Sequence, residues 1–426
     1  MKSVVKNIIE PIINIGIVLP EDKKTEIIID IPNPSNYKIN SKKCSDRLIV
    51  KCKSGLILIN NKLADKYVIE PIDDSIDNEF PTINSVPSGR GFHWQNEIQV
   101  QLPGKIFIKN HNGYLLIINE LPLEQYLPFV ATSEMNQDCP SALLEAQTIA
   151  ARSWLLANRK VNHPELDIDV CNDDCCQRYQ GVIDISKESL QAIHNTRGQV
   201  LRYNNEICDA RYSKCCGGIT ESYENVWNGK PIVYLSTIAD FPHHNYQTDD
   251  LHNFINSSPP AFCSEKYVKP SYIQKYLGKV DKSDSYYRWN ISYSQKELTT
   301  IINQKLELDA TLITNISPLK RGYSGRIIKL KIDYIIKPDE KKSITLNSEY
   351  TIRNVLHKQF LYSSAIIIEQ KTRRNSIPEK FKFIGAGWGH GVGLCQIGAL
   401  GMALNGYTAE SILKHYFANT KIEKIY

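Results

Sequence analysis

The chain has 426 residues, of which 42% are hydrophobic and 23% are charged. These values are ordinary for a globular protein, and the length leaves room for two or three domains. The net charge is +5, from 51 basic and 46 acidic residues that are spread along the chain. This small excess is compatible with an anionic polymer as ligand, but it is not the pattern of a nucleic-acid-binding protein.

No membrane-spanning segment is predicted, because no stretch approaches the ~18 consecutive apolar residues that a span needs. Residues 1–20 are interrupted by Lys6, Glu10 and Pro11, and no small-residue cleavage site follows them. This N-terminus therefore lacks the pattern of a signal peptide. A removed leader, an unrecognised export route and a cytoplasmic location all stay open.

The first part of the chain, residues 1–110, is predicted to be β-rich, because short β-branched runs alternate with Pro, Asn, Lys and Gly. No pattern there indicates chemistry. Two strands, 105–110 and 114–120, are predicted to form a hairpin around Asn112-Gly113, which is a strong turn signal. A helix is expected over 140–158, with Pro140 in its first turn and Asp138 as its cap. Glu134 lies just ahead of that helix.

The second part, residues 111–426, is predicted to be a mixed α+β domain with a substrate groove, which makes the whole chain α+β. Its section at about 245–380 is less characteristic, and residues 245–290 look irregular. The predicted elements are a strand–turn–strand over 199–213, strands at 326–336 and 343–352, and helices at 296–306, 352–360, 395–404 and 409–417.

Glu134 is a candidate general acid, because a carboxyl group beside the apolar run 127–131 and Met135 can be partly desolvated. A solvated carboxylate at a helix end is the alternative.

Eleven cysteines are present, an odd number, and several of them are adjacent in sequence. The length excludes a small disulfide scaffold. Cys171, Cys175 and Cys176, with His163 upstream, supply four soft ligands for zinc, although the spacing is not that of a standard zinc finger. A disulfide, unlinked thiols, or recruitment of Cys208, Cys215 or Cys216 in place of His163 stay open.

Two glycine-rich segments suggest close backbone approach. One is Cys215-Cys216-Gly217-Gly218, followed nine residues later by Trp227, which we expect in the core rather than as a sugar platform. The other has Gly at every second position over 385–393 and lacks the spacing of a dinucleotide-binding loop or a P-loop. Such a ribbon lets Trp388 and His390 project beside bare backbone, which suits a groove for a polar polymer.

Five blocks in order resemble the SpoIID/LytB family, and the resemblance covers about residues 113–426. They begin at Glu134-Met, at the helix Pro140-Ser-Ala-Leu-Leu-Glu-Ala-Gln, at Cys176-Gln-Arg-Tyr, at Tyr212-Ser-Lys-Cys-Cys-Gly-Gly, and at Gly387-Trp-Gly-His-Gly-Val-Gly-Leu-Cys-Gln; the ending His415-Tyr-Phe fits as well. Two positions depart from the family pattern: Glu145 stands where a lysine is common, and Ser-Lys-Cys-Cys replaces a serine-rich segment.

The resemblance implies a lytic transglycosylase that cuts peptide-free (denuded) glycan strands of peptidoglycan and leaves 1,6-anhydromuramoyl ends. It also implies an alternative, a non-catalytic glycan-binding enhancer of a cell-wall amidase. It gives Glu134 the catalytic role and Arg152 an important one, and it locates a zinc site at the His and Cys cluster. Substrate-binding side chains are expected to be Tyr179, Tyr212, Trp388, His390 and Gln396.

The chemistry implied by the resemblance needs no metal, so any zinc is expected to be structural. The expected partners are glycan strands and an amidase, and the family implies a location at the cell envelope.

Overall fold

A computed structural model describes residues 9–73, 79–91, 95–173, 175–182, 185–242, 250–277, 285–337, 340–372 and 377–426. The N-terminal strands are β1 (Ile12–Val18), β2 (Glu26–Asp30), β3 (Tyr37–Ile39), β4 (Lys42–Lys43), β5 (Arg47–Lys53), β6 (Leu56–Ile59), β7 (Lys62–Ala64), β8 (Lys66–Pro71), β9 (Thr82–Ser88), β10 (Asn96–Gln101), β11 (Lys105–His111) and β12 (Tyr114–Pro122).

A mixture of helices and strands follows. They are α1 (Leu123–Glu134), α2 (Ser141–Asn158), β13 (Val170–Cys171), α3 (Lys187–Asn195), β14 (Gln199–Tyr203), β15 (Glu206–Ile207), β16 (Tyr212–Ser213), α4 (Tyr223–Trp227), α5 (Leu251–Asn256), α6 (Pro270–Leu277), β17 (Arg288–Ser294) and α7 (Gln295–Leu306). The remaining elements are β18 (Leu312–Arg321), β19 (Ile327–Lys337), β20 (Glu340–Leu346), α8 (Glu349–Val355), β21 (Ile366–Thr372), β22 (Pro378–Ala386), β23 (Leu394–Cys395), α9 (Gln396–Leu404), α10 (Ala409–Tyr416) and β24 (Lys421–Lys424). The α+β class is confirmed, with β-rich sheets first and a mixed region after them.

Two large sheets form the N-terminal part. One has the strand order β13-β1-β12-β11-β8-β3-β4, and the other has the order β10-β9-β2-β5-β6-β7. Alternating buried residues of these strands share one hydrophobic core with α1 and α2. The first sheet draws strands from both sides of position 110, so the two predicted parts of the chain are joined through it.

The hairpin of β11 and β12 is confirmed, and its turn contains Asn112 and Gly113 with positive φ. The helix predicted over 140–158 is α2, but Pro140 is its N-cap and Asp138 does not cap it. Helix α1 was not predicted, because Pro128 lies inside it. Nearly all of its residues are buried, and this tertiary packing outweighs the cost of an internal proline.

The C-terminal part contains smaller sheets, with orders β15-β14-β24, β17-β22-β21 and β18-β19-β20, and the parallel pair β16-β23. The strand predicted over 343–352 is wrong in its second half, because α8 begins at Glu349 with Ser348 as its N-cap. The region 245–290 is not wholly irregular, since it contains α5 and α6; its residues 245–249 and 278–284 lie outside the described part. No helix among the described residues is long and apolar enough to cross a membrane.

Candidate active site

Glu134 is the last residue of α1, and its side chain is partly exposed. The next residue, Met135, is fully buried and takes extended backbone geometry. Lys214 Nζ donates to the backbone carbonyl of Glu134 over 2.8 Å. Buried Met135 and the hydrogen bond from Lys214 therefore hold the end of α1 in place. The carboxyl group of Glu134 projects from this fixed backbone.

Three donors from separate segments face the Glu134 carboxylate. The Arg178 backbone N–H and the Tyr212 hydroxyl donate to Oε1, each over 3.4 Å, and the Gln396 side-chain amide donates to Oε2 over 3.2 Å. These contacts are long for hydrogen bonds. Catalytic hydrogen bonds in unliganded sites are often long and shorten when substrate binds.

Tyr212 is held in its neutral form. Burial raises the pKa of its hydroxyl well above the ordinary value, and the negative charge of Glu134 raises it further. Gln177 donates to the same hydroxyl oxygen over 3.3 Å, and Tyr126 donates to Gln177. A chain of hydrogen bonds from the core thus orients the hydroxyl toward Glu134.

Glu134 opens into a cleft of about 560 Å³. The cleft is lined by basic, aromatic and acidic side chains, among them Arg90, Arg178, Arg211, Lys214, Arg353, Trp154, Tyr212, Trp227, Tyr350, Trp388, His390, Glu134 and Glu349. Basic side chains outnumber acidic ones in this lining, and several aromatic rings are part of it. Such a surface suits a long anionic ligand with flat apolar faces.

The glycine-rich segment forms one wall of this cleft. After the end of β22 at Ala386 it continues as an irregular ribbon, in which Gly387, Gly389, Gly391 and Gly393 all have positive φ. A Cβ on Gly391 would lie 2.3 Å from Cζ of the buried Arg326, and a Cβ on Gly387 would lie 2.8 Å from the carbonyl oxygen of Cys215. Glycine is needed at both positions because the ribbon packs directly on these groups.

Trp388 and His390, two of the predicted site residues, line the cleft from the ribbon. Trp388 stacks on Tyr362, with ring centroids 4.1 Å apart and planes 10° apart. His390 Nδ1 accepts the Val392 N–H over 3.0 Å. Burial lowers the pKa of His390 well below its ordinary value, and the positive charges of Arg211 and Arg353 lower it further. His390 is therefore a neutral ring that shapes the wall.

Trp227 has a different environment from the one we expected. It is partly exposed, packs against the edge of the core and also lines the cleft. Its ring stacks on Tyr223, meets His390 edge-on at 4.9 Å, and carries the Arg211 guanidinium at 4.0 Å. An aromatic ring with a cation on it offers both an apolar face and a positive charge at the cleft surface.

Two predicted site residues lie elsewhere. Tyr179 does not line the groove: it is fully buried, stacks on Tyr126 and donates to Asn119 over 2.8 Å. Arg152 is also fully buried and makes a two-pronged ion pair with Glu124, at 2.9 and 2.7 Å. Arg152 therefore does not line the cleft, and its charged partner is Glu124 rather than Glu134.

The four predicted metal ligands do come together. The ligand atoms of His163, Cys171, Cys175 and Cys176 all lie within 4.8 Å of one another. Cys171 is anchored by β13 at the edge of the first sheet, where it pairs with Gly16. Cys175 and Cys176 also line the cleft, so the cluster borders it.

Arg90 is a residue that sequence analysis missed, in a region where we expected no chemistry. It makes an ion pair with Asp22 and with Asp173, and its guanidinium reaches the cleft. The backbone N–H groups of Gly89 and Arg90 also donate to Asp173. These contacts fix the loop that follows Cys171 against the N-terminal sheets. No local sequence pattern around Arg90 indicates such contacts.

Comparison with known proteins gives two family matches. Residues 111–203 match the SpoIID family, described as stage II sporulation protein, and residues 221–393 match a domain of unknown function, DUF8618. The chain is 22% identical to stage II sporulation protein D of Bacillus subtilis over 365 residues, 82% of this chain and 87% of that one.

Two further relatives are similar. An uncharacterized protein of Brachyspira hyodysenteriae is 26% identical over 76% of this chain and 72% of its own length. The amidase enhancer of Bacillus subtilis is 25% identical over 69% of this chain, and the match spans only 39% of that relative.

Proposed function

Residues 111–203 belong to the SpoIID domain family, and from this premise and the surroundings of Glu134 we propose that the protein is a lytic transglycosylase of peptidoglycan at the cell envelope. The observation that carries the proposal is a single carboxyl group, Glu134, that faces three donors inside a basic, aromatic cleft.

One carboxyl group suffices for this reaction. Glu134, in its acid form, protonates the glycosidic oxygen between muramic acid and glucosamine as the bond to C1 breaks. The C6 hydroxyl of the same muramic acid then attacks C1, and its proton returns to the Glu134 carboxylate. Because the nucleophile is tethered, the second step is intramolecular, which can contribute several kcal/mol, on the order of 7–11 at best.

The donors around Glu134 stabilise the carboxylate that is left after the first proton transfer and that acts as the base in the second step. After the first proton transfer the carboxylate is negative, and the N–H of Arg178, the hydroxyl of Tyr212 and the amide of Gln396 all donate to it. Tyr212 keeps its own proton, so that it acts as a donor and does not compete as a base.

The charge of the cleft supports denuded strands as substrate. Muramic acid without its stem peptide has a free lactyl carboxylate, whereas the peptide-bearing form has a neutral amide at that place. Arg178, Arg211 and Lys214 line the cleft together with Glu134 and offer cationic partners for such carboxylates.

A second carboxyl group, Glu349, also lines the cleft, and two carboxyl groups would allow hydrolysis. Glu349 is 2% exposed and makes an ion pair with Arg353 over 3.2 Å. A carboxylate held by a buried arginine is a poor base for activating water, and this favours the one-carboxylate route.

The product decides between the two routes. We expect purified denuded strands, incubated with the full-length protein, to yield fragments with 1,6-anhydromuramoyl ends in the mass spectrum. Fragments heavier by one water, with reducing ends, would instead indicate hydrolysis. Strands that bind but stay intact, combined with faster cleavage by an added cell-wall amidase, would support the enhancer function.

We further propose that His163, Cys171, Cys175 and Cys176 hold a structural zinc ion. The segment that follows the cluster supplies Gln177 and the Arg178 N–H to the Glu134 network. A metal at the cluster would therefore hold this segment in place, without taking part in proton transfer.

The zinc proposal predicts a change in metal content. The double substitution of half-buried His163 by Ala and of exposed Cys175 by Ser is expected to remove one equivalent of zinc and to lower Tm, because the two ligands that remain cannot hold the ion and the loop. Because the zinc ion is proposed to be structural, the variant is expected to keep most of its strand-cleavage activity at low temperatures, where it is still folded. Elemental analysis and thermal unfolding check this, and identical zinc content in the parent and the variant would contradict the site.

A further inference from the structure

A second cluster of soft ligands lies away from the first. Cys216, Asp240, Cys263 and Cys395 are each at most 2% exposed, and their ligand atoms all lie within 4.8 Å of one another. They come from four separate segments: the loop after β16, the loops before and after α5, and the residue that precedes α9. Cys216 is part of the Ser-Lys-Cys-Cys segment that departs from the SpoIID pattern.

The spacing of these atoms matches a single tetrahedral ion. With a zinc–sulfur distance of about 2.3 Å and a zinc–oxygen distance of about 2.0 Å, a tetrahedron separates two sulfurs by ~3.8 Å and a sulfur from an oxygen by ~3.5 Å. The Cys216 and Cys263 sulfurs are 3.7 Å apart, and the Cys216 sulfur lies 3.3 Å from Asp240 Oδ2. A disulfide would need about 2.05 Å.

Backbone donors point at two of the three sulfurs. The N–H groups of Cys216 and Gly398 donate to Cys395 Sγ over 3.2 and 3.3 Å, and the Gly218 N–H donates to Cys216 Sγ over 3.3 Å. Sulfur that accepts such donors is stabilised as thiolate, which is the metal-binding form. Cys395 also sits at the N-terminal end of α9, where the helix dipole favours negative charge.

Asp240 is arranged as a metal ligand with a supporting shell. While Oδ2 faces the Cys216 sulfur, Oδ1 accepts from the Tyr416 hydroxyl over 2.8 Å and lies 3.3 Å from His415 Nε2. Metal-binding carboxylates characteristically have such outer partners. A carboxylate with no exposure beside three sulfurs is costly unless a cation compensates the charge.

We propose that Cys216, Asp240, Cys263 and Cys395 bind one structural zinc ion. An iron–sulfur cluster fits less well, because its bridging atoms would spread the protein ligands further apart than 4.8 Å. The zinc ion would tie four segments together beneath the cleft. One of them carries Cys216, which precedes the double glycine. The carbonyl of Cys216 accepts a hydrogen bond from Arg326, on which the glycine ribbon packs. Cys215 also interacts with Cys263 and Cys395 and is the rival for the fourth position.

The test uses the full chain carrying His163→Ala and Cys175→Ser, so that the first cluster cannot contribute. Purified without added metal, this protein is expected to retain about one equivalent of zinc. Adding Cys395→Ser or Asp240→Asn is expected to remove most of it. Adding Cys208→Ser is the matched control, because Cys208 is a buried thiol outside the cluster, and zinc content is expected to stay unchanged.

X-ray absorption at the zinc edge, measured on the protein that carries only His163→Ala and Cys175→Ser, tests the ligands without disturbing the second cluster. Three sulfurs near 2.3 Å and one oxygen near 2.0 Å are the expected result. Four sulfurs, or full zinc content in Asp240→Asn, would overturn the role of Asp240 in favour of Cys215. Iron in place of zinc, or less than about a tenth of an equivalent of zinc in the first-cluster variant, would overturn the site itself.

Discussion

Replacing Glu134 by Gln is expected to lower the rate of glycan-strand cleavage by about 10²–10⁴-fold. The amide has nearly the size of the carboxyl group, but it can neither give a proton to the leaving oxygen nor take one from the C6 hydroxyl. The measurement is the rate at which 1,6-anhydromuramoyl ends appear on denuded strands. Strand binding is expected to persist, because the basic and aromatic lining is unchanged.

The matched control for this variant is Glu145→Gln. Glu145 lies on α2, accepts a hydrogen bond from Asn195 and does not line the cleft. Its loss of charge is expected to leave the rate unchanged. If Glu134→Gln kept most of the parent activity with an intact circular dichroism spectrum, Glu134 could not be the acid, and the enhancer function would become the better account.

Replacing Arg152 by Ala is expected to lower the free energy of unfolding by about 3–5 kcal/mol. Arg152 is fully buried, and its removal leaves the Glu124 carboxylate, 8% exposed, without its charged partner. Gly198 N–H and the Tyr426 hydroxyl would still donate to that carboxylate, which keeps the loss at this order. Denaturant unfolding measures the change.

The pH dependence of stability gives a second measurement. Burial alone would raise the pKa of Glu124, but the hydrogen bonds and charge of Arg152 lower it overall. A group with a lowered pKa stabilises the fold above its unfolded pKa, and this contribution disappears as pH falls through the folded pKa. The free energy of unfolding of the parent protein should therefore decrease on acidification, and the decrease should be smaller for Arg152→Ala.

A double variant separates structure from function at this pair. Arg152→Met with Glu124→Leu removes both charges and is expected to recover part of the stability, since apolar replacement of a buried pair is often neutral. Cleavage should return with the fold. If the Arg152→Ala protein were as stable as the parent but no longer cleaved strands, the structural role of Arg152 would be contradicted. The functional role that the family resemblance implies would then explain the result.

Local sequence signals were sufficient where one short segment decides the structure. Asn112-Gly113 predicted the hairpin of β11 and β12, and the periodic apolar residues after Pro140 predicted α2 within one residue. The same signals failed at α1, because a proline inside a helix is tolerated only when burial compensates for it, and burial is not visible in a single segment.

By itself, the sequence determined the α+β class, the family resemblance and the candidate chemistry: one carboxyl group, a glycine ribbon and clustered thiols. Only the tertiary structure decided which of these residues meet. It directed Tyr179 and Arg152 into the core and brought Arg90 and Arg178 to the cleft. It also joined Cys216 with Cys395, 179 residues away in the chain. The physical reason is that burial and ion pairing depend on contacts between distant segments, which no local pattern encodes.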